Sequence, residues 1–260
     1  MAKNNLFLLG LLGLSLCLTT ACSSDDDDNG QGGETPPPSL TDKKLTGIYD
    51  NEGSTWSNMK YDDQGQLVAY TENDNELSAI TYTYAYAKSS ISVTATDKAN
   101  HIKSRKTFYI NSDRRIERAE WTGDEIVTIT YTYDDDNQIT RVEAKEKSGK
   151  QTVVTFGWKS GNIESVKEES SWGSSHDTDV TLLTYGTQSA DKFLQPGEAF
   201  EYLDGALFRY GYFGKYIKHL PQTKEEVGEK TETYTYEFDK DGYVTRLEMS
   251  GGYSATFIWK

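Results

Sequence analysis

Apolar and polar residues alternate strictly along much of this chain. Ile80, Tyr82, Tyr84 and Tyr86 fall on one side of an extended segment, with Thr81, Thr83 and Ala85 on the other. Val127, Ile129, Tyr131 and Tyr133 oppose Ile126, Thr128, Thr130 and Thr132 in the same way. A period of two marks half-buried antiparallel strands, because a helix would space its apolar face at three and four residues.

The alternating runs belong to a repeat: aromatic-x-aromatic, a turn of Asp, Asn, Gly or Ser, then an aliphatic residue. Examples are Tyr131-Thr132-Tyr133-Asp134-Asp135-Asp136-Asn137-Gln138-Ile139 and Phe156-Gly157-Trp158-Lys159-Ser160-Gly161-Asn162-Ile163. The aliphatic place falls at 67, 91, 116, 139 and 163, in steps of 24, 25, 23 and 24, which signals a repeat architecture. Each unit holds two runs separated by turn chemistry and reads as one β-hairpin. After each turn the alternation slips, pairing Leu67 with Tyr70, Ile139 with Val142, Ile163 with Val166 and Val244 with Leu247 at i, i+3. Both members reach one face only if a residue is bulged out, and repeated bulges curl a sheet.

The series fails near residue 187 and resumes at Tyr234. Between them, residues 193–220 are crowded with Phe193, Phe200, Tyr202, Phe208, Tyr212, Phe213 and Tyr216, and Gly205, Gly211 and Gly214 limit any helix to a short one. An apolar sheet face must bury itself, and a barrel of a dozen or more strands encloses more room than its own side chains fill. The expected fold is therefore all-β: an antiparallel meander of hairpins forming a strongly curled sheet or barrel, with a short helical aromatic insert near 193–220 as plug or cover.

Tyr234-Thr235-Tyr236-Glu237-Phe238-Asp239-Lys240-Asp241-Gly242-Tyr243-Val244 and the preceding Tyr212-Phe213-Gly214-Lys215-Tyr216-Ile217-Lys218-His219-Leu220-Pro221 carry a resemblance. Together with Thr19-Thr20-Ala21-Cys22, which ends the apolar N-terminal run like a lipobox, they look like an uncharacterised family of Bacteroidetes lipoproteins with a porin-like β fold. The units are also similar to the tyrosine–aspartate repeats of large secreted shell proteins. The resemblance spans most of residues 45–260 and implies a curled or closed antiparallel sheet. It implies no activity and transfers no functional residues.

At the N-terminus Lys3 precedes an apolar run from Leu6 to Leu18, too short to span a bilayer but suited to a signal peptide. Thr19-Thr20-Ala21-Cys22 resembles a bacterial lipobox, with Thr19 where leucine is usual. Residues 1–21 thus read as a lipoprotein signal peptide and Cys22 as the lipidated residue. Ser24, Asp25, Asp26, Asp27 and Asp28 resemble the signal that exports Bacteroidetes lipoproteins to the cell surface. Residues 22–43, rich in Asp, Gly and Pro, read as a disordered tether, and 44–260 as a single β-repeat domain. The expected location is the outer membrane, lipid-anchored and surface-exposed, with membrane lipid the partner through acylated Cys22.

Acidic residues outnumber basic ones 41 to 27, for a net charge of −14, which repels phosphate backbones and argues against a nucleic-acid partner. Cys17 leaves with the signal and Cys22 is consumed by lipid, so no disulfide is expected. His101, His176 and His219 show no metal spacing, and no nucleophile elbow, phosphate loop or dinucleotide fingerprint occurs. Asp134, Asp135, Asp136, Asp239 and Asp241 sit where hairpin turns use Asp for local backbone bonds, so they read as turn residues rather than calcium ligands. No metal, cofactor or catalytic residue is expected. A carboxylate-based glycoside hydrolase is the enzymatic alternative.

Trp172-Gly173-Ser174-Ser175-His176-Asp177 forms the most polar hairpin tip and places an aromatic where solvent is expected. Trp172, His176 and Asp177 are the candidate ligand-binding residues, since an indole can stack on a sugar ring beside polar neighbours. The leading expectation is a non-enzymatic surface lipoprotein that binds or displays something, with glycan or host matrix the plausible ligand. The alternative is an accessory or scaffold subunit packed against an outer-membrane transporter or another envelope protein. A transmembrane barrel fits less well, because the apolar face mixes tyrosine with threonine. Metabolic labelling with a clickable fatty acid is expected to mark the wild-type protein and to lose that mark in Cys22→Ala. Label persisting in the variant would refute lipidation at Cys22.

Overall fold

The computed structural model describes residues 43–74, 78–123, 126–194, 198–200 and 202–260. The expected signal peptide, Cys22, the expected export run Ser24–Asp28 and the expected tether up to residue 42 lie outside the described residues. The first strands are β1 (Leu45–Asp50), β2 (Thr55–Tyr61), β3 (Leu67–Asp74), β4 (Ser78–Tyr86), β5 (Ser90–Thr96) and β6 (Ile102–Ile110). They continue as β7 (Ile116–Thr122), β8 (Val127–Tyr133), β9 (Ile139–Glu146), β10 (Gln151–Lys159), β11 (Asn162–Trp172) and β12 (Ser175–Ser189). A two-stranded sheet, β13 (Glu198–Phe200) and β14 (Leu203–Asp204), and a short helix α1 (Gly205–Arg209) follow. The chain ends with β15 (His219–Glu226), β16 (Glu232–Phe238), β17 (Val244–Met249) and β18 (Ser254–Trp259).

All strands except β13 and β14 form one closed antiparallel barrel in which β18 returns to β1. The sheet that the hairpin pattern left as curled or closed is closed. Strand direction alternates, so the turns fall on two rims. The insert rim carries the β2–β3, β4–β5, β6–β7, β8–β9, β10–β11 and β16–β17 turns, and the described residues of the 190–218 segment between β12 and β15. Lys44 and Lys260 meet there through paired backbone bonds, so the chain joins the barrel at this rim. The far rim carries the β1–β2, β5–β6, β9–β10, β11–β12, β15–β16 and β17–β18 turns.

Bulges recur where the alternation slips. Thr132 pairs with Arg141 but Tyr133 with Ile139, leaving Thr140 unopposed. The same shift leaves Val68, Glu117, Glu164 and Thr245 unopposed on β3, β7, β11 and β17. Each bulge turns the i, i+3 pair to one face, and Leu67 with Tyr70, Ile139 with Val142 and Val244 with Leu247 are all buried. Between β4 and β5, Tyr86 pairs with Ile91 without a shift, and Ile91, Val93 and Ala95 keep simple alternation into the core.

An aromatic lacing closes the insert rim. Tyr61, Tyr86, Tyr133 and Tyr185 donate their hydroxyls to the carbonyls of Leu45, Leu67, Ile116 and Ile163 at 2.6–2.9 Å. Trp158 Nε1 and Trp259 Nε1 donate to Ile139 and Val244, both at 2.7 Å, and the Tyr236 hydroxyl to Pro221 at 2.9 Å. Each bond joins two strands at the rim where no turn connects them. The aromatic of the repeat thus ties its own hairpin to the preceding one. Ile110 occupies this place on β6 and makes no such bond.

The insert fills the barrel. Phe193, Leu194, Leu203, Ala206, Leu207, Phe208 and Phe213 are almost fully buried, as is every residue of α1. Asp204 caps α1 by accepting from the Leu207 amide at 3.0 Å, and its second carboxylate oxygen accepts from the Tyr84 hydroxyl at 2.9 Å. Phe213 packs against Phe108 and Tyr131 of the wall, and Phe193 against Tyr236 and Phe257. The amides that open three bulged strands bond to the insert. Leu67 N donates to the Tyr210 hydroxyl at 2.8 Å, Ile116 N to the Tyr212 carbonyl at 2.8 Å, and Val244 N to the Lys192 carbonyl at 3.2 Å.

Tyr133→Phe removes one lacing bond while keeping the ring, and should lower stability by about 1 kcal/mol. Gly214 adopts φ +81° with its Cα against the Asn137 carbonyl oxygen, where a Cβ would collide. Gly214→Ala combines that collision with left-handed strain and should destabilise by about 2 kcal/mol or more. Urea unfolding midpoints test both; a Gly214→Ala midpoint equal to wild type would contradict the docking of the insert on this turn.

Candidate binding site at the far rim

β11 and β12 are the longest strands, 11 and 15 residues; β10 stays paired with β11 up to Ser171, but on the other side the hairpin outruns β15 at the far rim. β15 pairs with β12 only from Glu226 opposite Thr181, with one further bond from Val227 N to the Val180 carbonyl. Beyond that point β12 continues to Ser175 with, among the described residues, no strand on its β15 side. Gly173 at φ +61° turns the tip. Trp172 is 66% exposed, so the indole does not fold back onto its own hairpin.

Register carries the inner face of the barrel out into this hairpin. Phe156, Val154 and Thr152 of β10 point inward and lie opposite Val166, Glu168 and Ser170 of β11. Those three lie in turn opposite Thr181, Asp179 and Asp177 of β12. The inward row therefore changes from apolar to acidic toward the rim. Ser170 Oγ donates to Glu168 Oε1 at 3.2 Å, and the Thr152 hydroxyl is 3.1 Å from Ser170 Oγ, so Thr152 is the donor to Ser170. Burial raises the Glu168 carboxyl pKa above the ordinary carboxylate value, and the charges of Asp179 and Asp177 add to this. The Ser170 bond and Lys150 act the other way.

The same inner wall continues onto β15 and β16. Lys224 is buried, opposite Leu183, with its Nζ 2.6 Å from Glu226. Tyr234 is 6% exposed, and its hydroxyl has no hydrogen-bond partner among the described residues. Burial, followed by the charges of Glu232 and Glu226, pushes that phenol above its usual range. Across the barrel, Lys106 Nζ sits 3.7 Å from the centre of the Trp121 ring, which in turn meets Tyr202 of the insert.

The candidate trio is divided by the pleat. Trp172 and Asp177 share the inward-facing row, opposite Ser175 and Ser170, whereas His176 lies opposite Ser171 on the outer face. Glu168 and Asp179, which complete the inward row, escape a reading of the tip alone. They become visible only by counting alternation outward from the buried Val154 and Phe156. The acidic turns serve the backbone. Asp134 Oδ1 accepts from the Gln138 amide at 2.8 Å, and Asp239 Oδ1 from the Asp241 and Tyr243 amides, both at 2.9 Å. Lys43 bonds to Asp239 and Asp241 at 2.7 and 2.6 Å, which pushes its ammonium pKa up to about 12. Among the described residues no three His, Cys, Asp or Glu side chains are grouped to hold a metal ion.

The outer wall is charged at mid-height. Arg118–Glu120, Arg141–Glu143, Lys167–Glu169 and Arg246–Glu248 form ion pairs two residues apart on the outward faces of β7, β9, β11 and β17.

A search of curated proteins finds no match to this chain. Among solved structures it is similar to a porin-like protein from Bacteroides uniformis, at TM-score 0.57 and 14% identity over 83% of this chain and 96% of that one. A porin-like protein from Bacteroides vulgatus matches at TM-score 0.60 and 14% identity, over 84% of this chain and 99% of that one. At this identity the likeness is one of fold. The family model described as a domain of unknown function (DUF4595) with porin-like fold matches residues 59–246. That span runs from β2 through the bulged hairpins and the insert to β17, and on it the chain belongs to this porin-like family.

Proposed function

We propose that this chain is a lipid-anchored, non-enzymatic surface protein whose plugged barrel stands in water and presents its far rim to a ligand. The observation that carries the reading is topological. The chain joins the barrel at the insert rim, through Lys43 and Lys44, and the exposed Trp172 hairpin leaves from the opposite rim. A membrane anchor at Cys22 would hold the insert rim toward the membrane and turn the Trp172 tip outward.

Two features support a barrel in water. Its outer wall carries ion pairs at mid-height, where a charged residue facing lipid costs about 2–4 kcal/mol. Its interior is occupied by the insert, which leaves no role for the lumen as an aqueous channel of the kind porins have. Of the large exposed apolar residues, Leu182 lies on the outward face of β12, Ile102 at the far rim and Phe238 at the insert rim. Glycan or host-matrix ligands suit an exposed indole beside carboxylates and hydroxyls.

Arrays of glycans and of matrix proteins, probed with the surface-exposed protein, test the reading. Trp172→Ala should lower the signal of the bound ligand about tenfold, as loss of a central aromatic anchor does. An unchanged signal would remove Trp172 from the site.

A further inference from the structure

The far segment of β12 combines a free backbone edge with ordered charge. Its ladder to β15 ends at Thr181, so Ser175–Asp179 keep their β15-side amide and carbonyl groups unpaired among the described residues. Exposed edges of this kind are templates for a further strand, and inward-pointing charges, like proline, bulges or lysine, guard them against indiscriminate pairing. Here the register of β11 with β12 is unbroken from Trp172 to Ser165, and no proline or lysine lies in Ser175–Asp179.

The charge on this edge is of one sign. Asp177 and Asp179 are two residues apart and face the same side, about 7 Å from each other along the strand. Glu168 lies directly opposite Asp179. Like charges in directly opposed positions are unfavourable, so the pairing is a local cost in the free barrel. The nearby cations are already engaged, Lys224 with Glu226 and Lys150 with Glu146. At this end of the wall carboxylates outnumber unengaged cations, so the segment calls for cationic donors from outside.

We propose that Ser175–Asp179 accepts an extended polypeptide with lysine or arginine at alternate positions, added as an antiparallel strand where β15 has ended. Main-chain bonds would supply affinity, and alternate cationic side chains would meet Asp177 and Asp179, relieving their repulsion with Glu168. Trp172, on the same inward row one strand over and opposite Ser175, offers its face to a cation at the end of the added strand. The inference rests on the far rim being the binding surface and adds to it the ligand class, a basic polypeptide.

The test uses the full chain in non-ionic detergent and two labelled octapeptides of one composition, alternating Lys-Thr and a block of four lysines followed by four threonines. The alternating peptide should bind about tenfold more tightly than the block peptide. The advantage should vanish in Asp177→Asn/Asp179→Asn and when alternate amides of the peptide are N-methylated. Glu143→Gln/Glu248→Gln, on the outer wall, should leave it intact. The tip variant should unfold at an unchanged or higher urea concentration than wild type, because it removes opposed like charges. Equal binding of the two peptides, or equal loss in both double variants, would reduce the effect to net charge and overturn the proposal. Calcium displacing the peptide from wild type but binding nothing in the tip variant would assign these carboxylates to a metal and likewise overturn it. A neutral glycan lost with Trp172→Ala, with neither peptide bound, would remove this inference while leaving the function proposed above in place.

Discussion

The interior volume of the barrel is the constraint on which the rest depends. A closed sheet of this many strands encloses a lumen wider than its own inward side chains can fill. Porins leave such a lumen to water and line it with polar groups. Here the inward rows are mostly tyrosine, isoleucine, valine and phenylalanine, which would be left wet around an empty channel. Residues 190–218 resolve the conflict by placing Phe193, Phe208 and Phe213 in the middle. The result reverses the porin arrangement, with apolar groups inside and ion pairs outside, on a related backbone.

Filling the lumen also sets what the bulges do. A bulge removes one residue from the ladder and frees backbone groups at the start of the next strand. Near this rim those groups are answered from two directions. Wall aromatics such as Tyr133 and Trp158 bond the carbonyls, and the insert accepts the amides of Leu67, Ile116 and Val244. Curvature, closure and plugging are thus coupled through the same few residues of each repeat. The insert rim is committed to holding the structure together, and the far rim, without lacing or plug contacts of this kind among the described residues, is where the longest hairpin projects past β15.

Much of this was legible in the chain itself. Strict alternation from Ile80 to Tyr86 and from Val127 to Tyr133 determined strands, and the i, i+3 slip at Ile139 and Val142 determined bulges, because side-chain direction in a strand has a period of two. The density of aromatics between Phe193 and Tyr216 determined that the insert would be core, since so much apolar surface has nowhere else to go. The polar tip at Trp172 was equally visible as an aromatic with no apolar neighbours to bury it.

Tertiary structure decided what depends on long-range register. Whether the sheet closes rests on β1 meeting β18, a pairing across the whole domain that no local pattern encodes. That Tyr133 bonds the carbonyl of Ile116, and that the insert caps the amide of Leu67, requires strands distant in the chain to reach one rim. The candidate site shows the same division. Trp172 and Asp177 could be named from the tip, but their separation from His176 and their alignment with Glu168 and Asp179 follow from pairing with β10 and β11. Sequence by itself determined which residues alternate, turn and fill; three-dimensional register alone determined which of them face one another, because a strand's neighbours come from elsewhere in the chain.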